Sequence, residues 1–487
     1  MNKENLDVKL KKYFEEMLVY KSPLNSKFFS ALSLPSFMRD WLVMRFSDEN
    51  GEINKEEVSE YVKNVIPNKE RWNAYLVELL HYNQSVRFLT KIKIEFDTAT
   101  RSALFSLPEF GVPKKNGDAI VDWNVIENHR DYLVSPNEVW GIVEIICELD
   151  DKGKRNIFRL IDFTPFCPYT IDLEYFIEAR NFFDTDEWIA LLLGAIDYNP
   201  LGYANKTQKM TMLSRLLPFV EKKLNLIELA PKETGKSYVY AQISKYGWLV
   251  SGGSMSRAKM FYDMNKKTPG LVSKYDYVAF DEIQSIKFTD SMEMQGALKG
   301  YLESGEYRVG DIRGIGSAGL ILLGNIDSSF MNENCNMFEE LPEIFHESAL
   351  LDRFHGFIKG WDIPKMKESL KANGWALNTE YFGEIMNKLR NEITYRSVVD
   401  ELLELPKDSA TRDTEAIKRI CTAYLKLLFP NATDVSNVNI SEFETYCLIP
   451  AKRMRGVIKS QLGIIDYAEF GGSVIPNIQV KEKYREK

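Results

Sequence analysis

The chain has 487 residues and a formal net charge of -8, with 45% hydrophobic, 12% aromatic and 27% charged residues. That length exceeds what one core sustains, and the composition excludes a disordered or fibrous chain, so two or three globular domains are expected. The acidic balance excludes a globally basic nucleic-acid binder, leaving local patches for any contact with DNA. The cysteines Cys147, Cys167, Cys335, Cys421 and Cys447 are scattered and odd in number. They form no C-x-x-C pair and predict reduced, buried thiols rather than a disulfide frame or a zinc site. The opening MNKENLDVKLKKYFEEM lacks the apolar run of a signal peptide, and no uncharged stretch is long enough to span a membrane, so a cytoplasmic protein is expected.

Residues 1–85 read as a helical N-terminal region, with Tyr61, Val62, Val65, Trp72, Tyr75, Leu76, Leu79 and Leu80 at helical spacing and a break at Pro67. Over 86–170 the period changes to that of strands. KIKIEFD, ALFSL and WGIVEIICELDDKGKRNIFRLIDF predict a β-rich, barrel-like module open to a DNA-binding role, with a hairpin turning at Asp150, Asp151, Lys152 and Gly153. A helical collar follows over 171–225. In it, Asp184 and Glu187 form a capping signal ahead of WIALLLGAI, and Pro200 closes the helix. Over 226–363 short apolar runs, NLIELAP, GWLVSGG, YDYVAFDE and GLILLGNI, alternate with helical text, the pattern of an α/β fold with a parallel sheet wrapped by helices. Residues 364–487 read as helical, ending in a basic helix from Lys452 to Leu462 and a polar tail.

The stretch LAPKETGKSY is close to the phosphate-binding loop G-x-x-x-x-G-K-[ST], with Ala230 at the first position. In such a loop successive backbone N–H groups curl around phosphates, a lysine adds charge and a hydroxyl holds Mg2+. Pro231, Lys232, Glu233, Thr234, Gly235, Lys236 and Ser237 are therefore the candidate ATP-binding residues, with Ser237 a metal ligand. Ala230 is tolerable if its φ is negative. Glu233 is repelled by phosphate unless it points to solvent or meets a basic group. A second apolar run, Tyr277 to Phe280, ends in Asp281-Glu282, the pattern in which the first acid holds Mg2+ and the second polarises water. A third ends in Asn325; in ring ATPases such an amide lies between the halves of the site. In LLDRFHGF, Arg353 reads either as an arginine finger reaching a neighbour's γ-phosphate or as the structural partner of Asp352 or another acid.

ELAPKETGKSYVY, LVSGG, YDYVAFDEIQSI, LESGEYRVGDIRG, LLGNI, ALLDRFHGFIKGW and ATRDTEAIKRICTAYLKLLFP together resemble the AAA+ core of the Lon-protease-like proteins of BREX phage-defence systems, itself similar to ring helicases of the minichromosome-maintenance type. The likeness covers roughly residues 175–465. It implies an AAA+ P-loop core with a helical lid, with Lys236, Ser237, Asp281 and Glu282 on nucleotide and Mg2+, Asn325 as first sensor, Arg353 as finger in trans and Arg412 as second sensor. The bland alternative for Arg412 is an exposed helix-start residue beside Asp413. The family usually carries a C-terminal protease domain; no Ser/Lys dyad is assignable in this chain, so proteolysis is not expected. Its loop usually has Gly where Ala230 and Glu233 stand, which bears on turnover more than on binding.

ESGEYRVGDIRGIGS reads as a hairpin before the sensor strand, offering Arg308 and Arg313 to the DNA backbone, or as an ordinary solvated turn. Lys206, Lys209, Arg215, Lys452, Arg453, Arg455 and Lys459 read as solvated faces. The histidines show no metal spacing, and His355 reads as a packing or hydrogen-bonding residue. The function expected is an ATP- and Mg2+-dependent ATPase acting on DNA, assembled as a homo-oligomer, a hexameric ring with stacking into a double ring left open. The rivals are an ATP-gated DNA clamp with little turnover and a protein remodeller using Tyr262 or Trp248.

Overall fold

Strand Val86–Asp97 turns Val86, Phe88, Ile92 and Ile94 to one side, the period of two that a half-buried strand requires. In the computed structural model, which describes residues 3–22, 28–29, 34, 36–48, 51–66, 69–112, 117–134, 138–150, 154–166, 170–265, 267–407 and 409–485, that strand belongs to a closed barrel. Around the barrel come Val86–Asp97, Ser102–Ser106, Ala119–Val121, Asn156–Pro165 and Val139–Leu149. Only Ala119–Val121 and Asn156–Pro165 pair in parallel; the other contacts are antiparallel. Helix Lys69–Leu80 adds Trp72, Tyr75 and Leu79 to the barrel core, with the Tyr75 ring stacked on Phe88 at 5.1 Å between centroids. The expected hairpin pairs from Leu149 opposite Asn156. Its turn residues 151–153, like Pro67 and Cys167, lie outside the described residues.

Residues 45–170 form one compact unit, and residues 1–44 together with 171–487 form the other. The helical region expected over 1–85 is thus divided between the two. Strand Leu18–Lys21 pairs antiparallel with Gly374–Leu377, inside the stretch read as helical from residue 364 on. The two strands are far apart in the chain, so no local hairpin signal marks either. The Asp184 capping box is present and starts helix Thr185–Ala195, which stops five residues short of Pro200.

The larger unit is organised on five parallel strands in the order Gly356–Lys359, Leu226–Ala230, Gly319–Asn325, Tyr277–Asp281, Gly247–Ser251. Near-continuous apolar runs make the strands, because both faces of such a sheet are covered; Leu226–Ala230 is buried at every position. Beyond the sheet lie helices Thr379–Asn391, Thr394–Leu402, Thr411–Leu428 and Ile449–Ile465. Of the described cysteines, all free, Cys421 and Cys447 are buried as expected, but Cys147 and Cys335 are only half-buried. Among the described residues no helix is long and apolar enough to cross a membrane.

Candidate functional site

All five strands point the same way, so their C-terminal ends share one edge of the sheet, where ligands of open α/β folds collect. The strand Leu226–Ala230 runs into the loop Pro231–Gly235 and then helix Lys236–Gln242. Gly235, at the head of that helix, has φ of 74°, which only glycine adopts without strain. Ala230 is absent from the left-handed region and fully buried, with its Cβ against Gly360; the methyl is accommodated. Glu233 does adopt φ of 69°. Its carboxylate is 73% exposed and lies 3.9 Å from Lys365, while its carbonyl accepts from Met366 N at 2.7 Å. Glu233 therefore both points to solvent and meets a basic group. Lys232 is exposed, Pro231 and Ser237 are half-buried, and Thr234 is buried.

The sheet order brings the other motifs to this loop. The strand ending in Asn325 lies between the loop strand and the one ending in Asp281, with Asn325 opposite Ala230. Lys236 Nζ donates to Asn325 Oδ1 at 2.7 Å. Burial pushes the Lys236 ammonium below its ordinary pKa, and Glu228 and Asp281 oppose the shift. Glu282 sits at φ of 47°, a costly conformation for a residue with a side chain, held by its N–H on Asp281 Oδ1 at 3.0 Å and by Ser285 Oγ donating to its carbonyl. Gln284, not singled out from the sequence, donates to the Asn325 carbonyl at 2.8 Å.

Arg215 is a further residue the sequence did not disclose. Read as part of a solvated face, it is instead 0% exposed and pairs with Glu228, also 0% exposed, at 2.5 Å. Its Nη1 donates to the Thr234 carbonyl at 2.9 Å, so a guanidinium fork braces the phosphate loop from beneath. Beside Gly235 opens a cavity of about 230 Å³ whose walls include Tyr20, Tyr198 and Tyr238. Its floor is an ion cluster: Asp197 receives Lys21 at 2.8 Å, Arg39 at 2.5 Å and the Tyr238 hydroxyl at 2.5 Å. Burial would raise the Asp197 pKa, but Arg39 and Lys21 hold it well below the usual carboxylate range.

Arg353 and Arg412 come together elsewhere. Arg353 lies three residues before Gly356, which pairs with Leu226, so it occupies the opposite edge of the sheet from the loop. Arg353 Nε is 2.8 Å from Glu303 Oε2, and the same oxygen receives Arg412 Nη2 at 3.1 Å. Arg412 Nη1 also donates to Asp352 at 3.0 Å. Asp352 is thus the partner of Arg412 and of Arg455, not of Arg353, and Asp413 pairs with Arg455 and Lys459 rather than Arg412. Arg455, read as part of a solvated basic face, is 1% exposed and also donates to the carbonyls of Asp352 and Phe354 at 2.9 and 2.7 Å. The Lys459 side chain is 11% exposed. His355 is buried and hydrogen-bonding as expected: its Nδ1 accepts from Asn225 N at 3.0 Å, which leaves the ring neutral.

The expected hairpin forms from Glu306–Val309 and Ile312–Ile315. Tyr307 and Val309 are buried, and the Tyr307 ring covers Gly314, where a Cβ would stand 2.3 Å from the ring. Arg308 and Arg313 are exposed, directly opposite one another across the strands. Like charges so placed repel unless an anion joins them. With Arg257 they border a groove of about 740 Å³. Tyr262 and Trp248 are half-buried and pack against the core of the larger unit.

A glycine-bent loop with a buried lysine, an acid pair and an amide on the strand between them thus share one edge of an α/β sheet. The chain belongs to the Lon-like protease BrxL-like family: the sequence model of that family's ATPase domain matches residues 158–475, and that of the BREX system Lon protease-like protein BrxL N-terminal matches residues 12–146. It is similar to the Lon-like protease BrxL of Escherichia coli O9:H4 (strain HS), 27% identical over 98% of this chain and 68% of the relative. It is similar also to the Lon-like protease BrxL of Bacillus cereus (strain H3081.97), 28% identical over 99% of this chain and 70% of the relative.

Arg215→Met strands Glu228 as a lone buried charge and is expected to destabilise the unit by about 3–5 kcal/mol, read as lowered Tm, whereas Arg215→Met with Glu228→Leu recovers most of it. A recovery no larger than either single variant would show that the pair is not the cause. Burial pushes the His355 pKa well below 6.5. The unfolded chain binds that proton first, so stability is complete above about pH 6.5 and falls as pH drops below it, toward the folded pKa. Chemical denaturation at several pH values should show a shallower acid slope in His355→Gln than in the parent.

Proposed function

We propose that this chain is an AAA+ ATPase that assembles into a ring, hydrolyses ATP and works on DNA in prokaryotic anti-phage defence, in the cytoplasm. The observation that carries the reading is the Lys236–Asn325 contact, which joins the phosphate loop to the strand between it and Asp281-Glu282. A buried lysine whose direct hydrogen-bond partner is a neutral amide is suited to a polyanion. Tyr198 and Tyr238 supply flat walls for the base of ATP beside Gly235. Among the described residues no group of three or more acidic, histidine or cysteine side chains could hold a metal unaided. In this reading Ser237, Asp281 and the triphosphate oxygens together would hold Mg2+. When bound, Mg2+ neutralises charge on the phosphates; Glu282 orients the attacking water, Asn325 steadies it, and the solvent-facing Glu233 leaves the phosphate path clear.

The two sheet edges are what support a ring. Strand Leu226–Ala230 separates Arg353 from the loop by about 16 Å at roughly 3.3 Å per residue. Arg353 is therefore suited to a neighbouring copy's γ-phosphate, with Arg412 beside it, and a closed hexamer supplies that neighbour at every site. The paired, exposed Arg308 and Arg313 favour phosphodiester over polypeptide. The reading favours DNA translocation over a static clamp, and it includes no peptide hydrolysis.

ATP hydrolysis is expected to be stimulated by DNA and reduced by about 100-fold or more in Glu282→Gln, which keeps the fold and removes the base. Hydrolysis indifferent to DNA, or undiminished in Glu282→Gln, would refute the motor; salt-sensitive DNA binding with negligible turnover would favour the clamp. Arg308→Ala with Arg313→Ala should weaken DNA binding similarly across sequences and flatten the log–log salt slope by about 1 to 2. An unchanged slope in a filter or anisotropy titration places the DNA elsewhere.

A further inference from the structure

Glu303 has no part in the chemistry proposed above, yet one of its oxygens receives both Arg353 and Arg412. The two contacts differ in quality. Arg412 makes a hydrogen bond, whereas Arg353 Nε is close enough for an ion pair but misaligned, leaving a buried N–H with no hydrogen-bond acceptor. Such a group is destabilising where it stands and gains from any better-placed oxygen. The rest of the arginine assembly is fixed. Arg455 grips the backbone on both sides of Arg353, at Asp352 and Phe354, and Asp352 holds the far side of Arg412. The only lightly held partner is Glu303, whose side chain is 47% exposed.

Glu303 also sits in the last turn of helix Ser291–Ser304, one turn ahead of the hairpin. The helix ends at Gly305, with φ of 82°, and Glu306 begins the first hairpin strand at once. The junction is tight: Gly305 O accepts from Gly316 N at 2.9 Å, and Lys223 Nζ donates to the Ser304 carbonyl at 2.6 Å. A shift of the helix end is therefore passed to Arg308 and Arg313 with no slack loop between.

We propose that Glu303 stands in for phosphate: its carboxylate occupies Arg353 and Arg412 until the triphosphate of an adjacent copy replaces it, and its release frees the helix end that carries the Arg308–Arg313 hairpin. The exchange swaps one anionic oxygen for several on the same two guanidinium groups and supplies the acceptor that Arg353 Nε lacks. It links the neighbour's nucleotide state to the DNA-contacting hairpin through a single positioning residue. This inference rests on the reading of Arg353 as acting in trans.

The test is steady-state ATP hydrolysis by the full chain, with and without duplex DNA, for Glu303→Gln, Glu303→Asp and Arg353→Ala. Glutamine keeps the volume and loses the charge. It is expected to lower KM for ATP by about fivefold or more, to raise the DNA-free rate, and to bring the ratio of DNA-stimulated to basal rate toward one. Aspartate keeps the charge and should restore the parent's KM and ratio. The proposal is overturned if Glu303→Gln leaves KM and the ratio unchanged, or if both substitutions impair hydrolysis alike at an unaltered Tm, which is the mark of a merely structural residue. Arg353→Ala separates the two levels. If it is inactive while Glu303→Gln behaves as the parent, only the role of Glu303 falls; if it hydrolyses ATP normally, the trans reading falls and this proposal with it.

Discussion

The phosphate loop depends on an ion pair that never meets water. Arg215 and Glu228 are both fully buried, and the guanidinium also donates to the Thr234 carbonyl and hydroxyl and to the Met212 sulfur. Desolvating two charges is costly, and a buried pair often contributes little net stability against an apolar alternative. What the pair supplies is position: the loop's curl is tied to the centre of the sheet rather than left to its own glycine. The field of Glu228 also reaches Lys236 and opposes the loss of its proton on burial. One carboxylate thus serves the brace beneath the loop and the cation at its mouth.

Around that anchor the molecule keeps two sets of polar and charged groups on opposite edges of one sheet. Lys236, Asn325, Asp281 and Glu282 gather at the C-terminal edge, Arg353 and Arg412 at the other. The second set is as firmly mounted as the first, since Arg455, Asp352 and Asp413 form a buried lattice between helices Thr411–Leu428 and Ile449–Ile465 and the segment bearing Arg353.

What was legible in the sequence was whatever is encoded within a strand and its next turn. The loop at Gly235-Lys236, the Asp281-Glu282 strand end, the Asn325 strand and the Arg308–Arg313 hairpin are all of that kind, and each forms where the pattern puts it. So does the barrel, whose alternation is local to each strand. The misread residues are those whose meaning lies in a distant partner. Arg215 and Arg455 look like surface cations until a tertiary acid reaches them, and Glu303 looks like one acid among many on a helix. The environment of Glu233 depends on Lys365 and Met366, far along the chain. Strand Gly374–Leu377 was hidden for the same reason, because its pairing partner among the described residues is Leu18–Lys21.

That pairing gives the first residues a structural weight out of keeping with their position. Strand Leu18–Lys21 and helix Ser36–Phe46 bring Lys21, Arg39 and Asp40 to the floor of the cavity beside Gly235, where two of them neutralise Asp197. The larger unit is therefore discontinuous in the sequence, interrupted by the barrel, while the family's N-terminal region, matched over 12–146, straddles the boundary. Domain borders drawn from sequence kinship and borders drawn from folding disagree here. A fragment cut to the first would expose a buried carboxylate with both its cations removed.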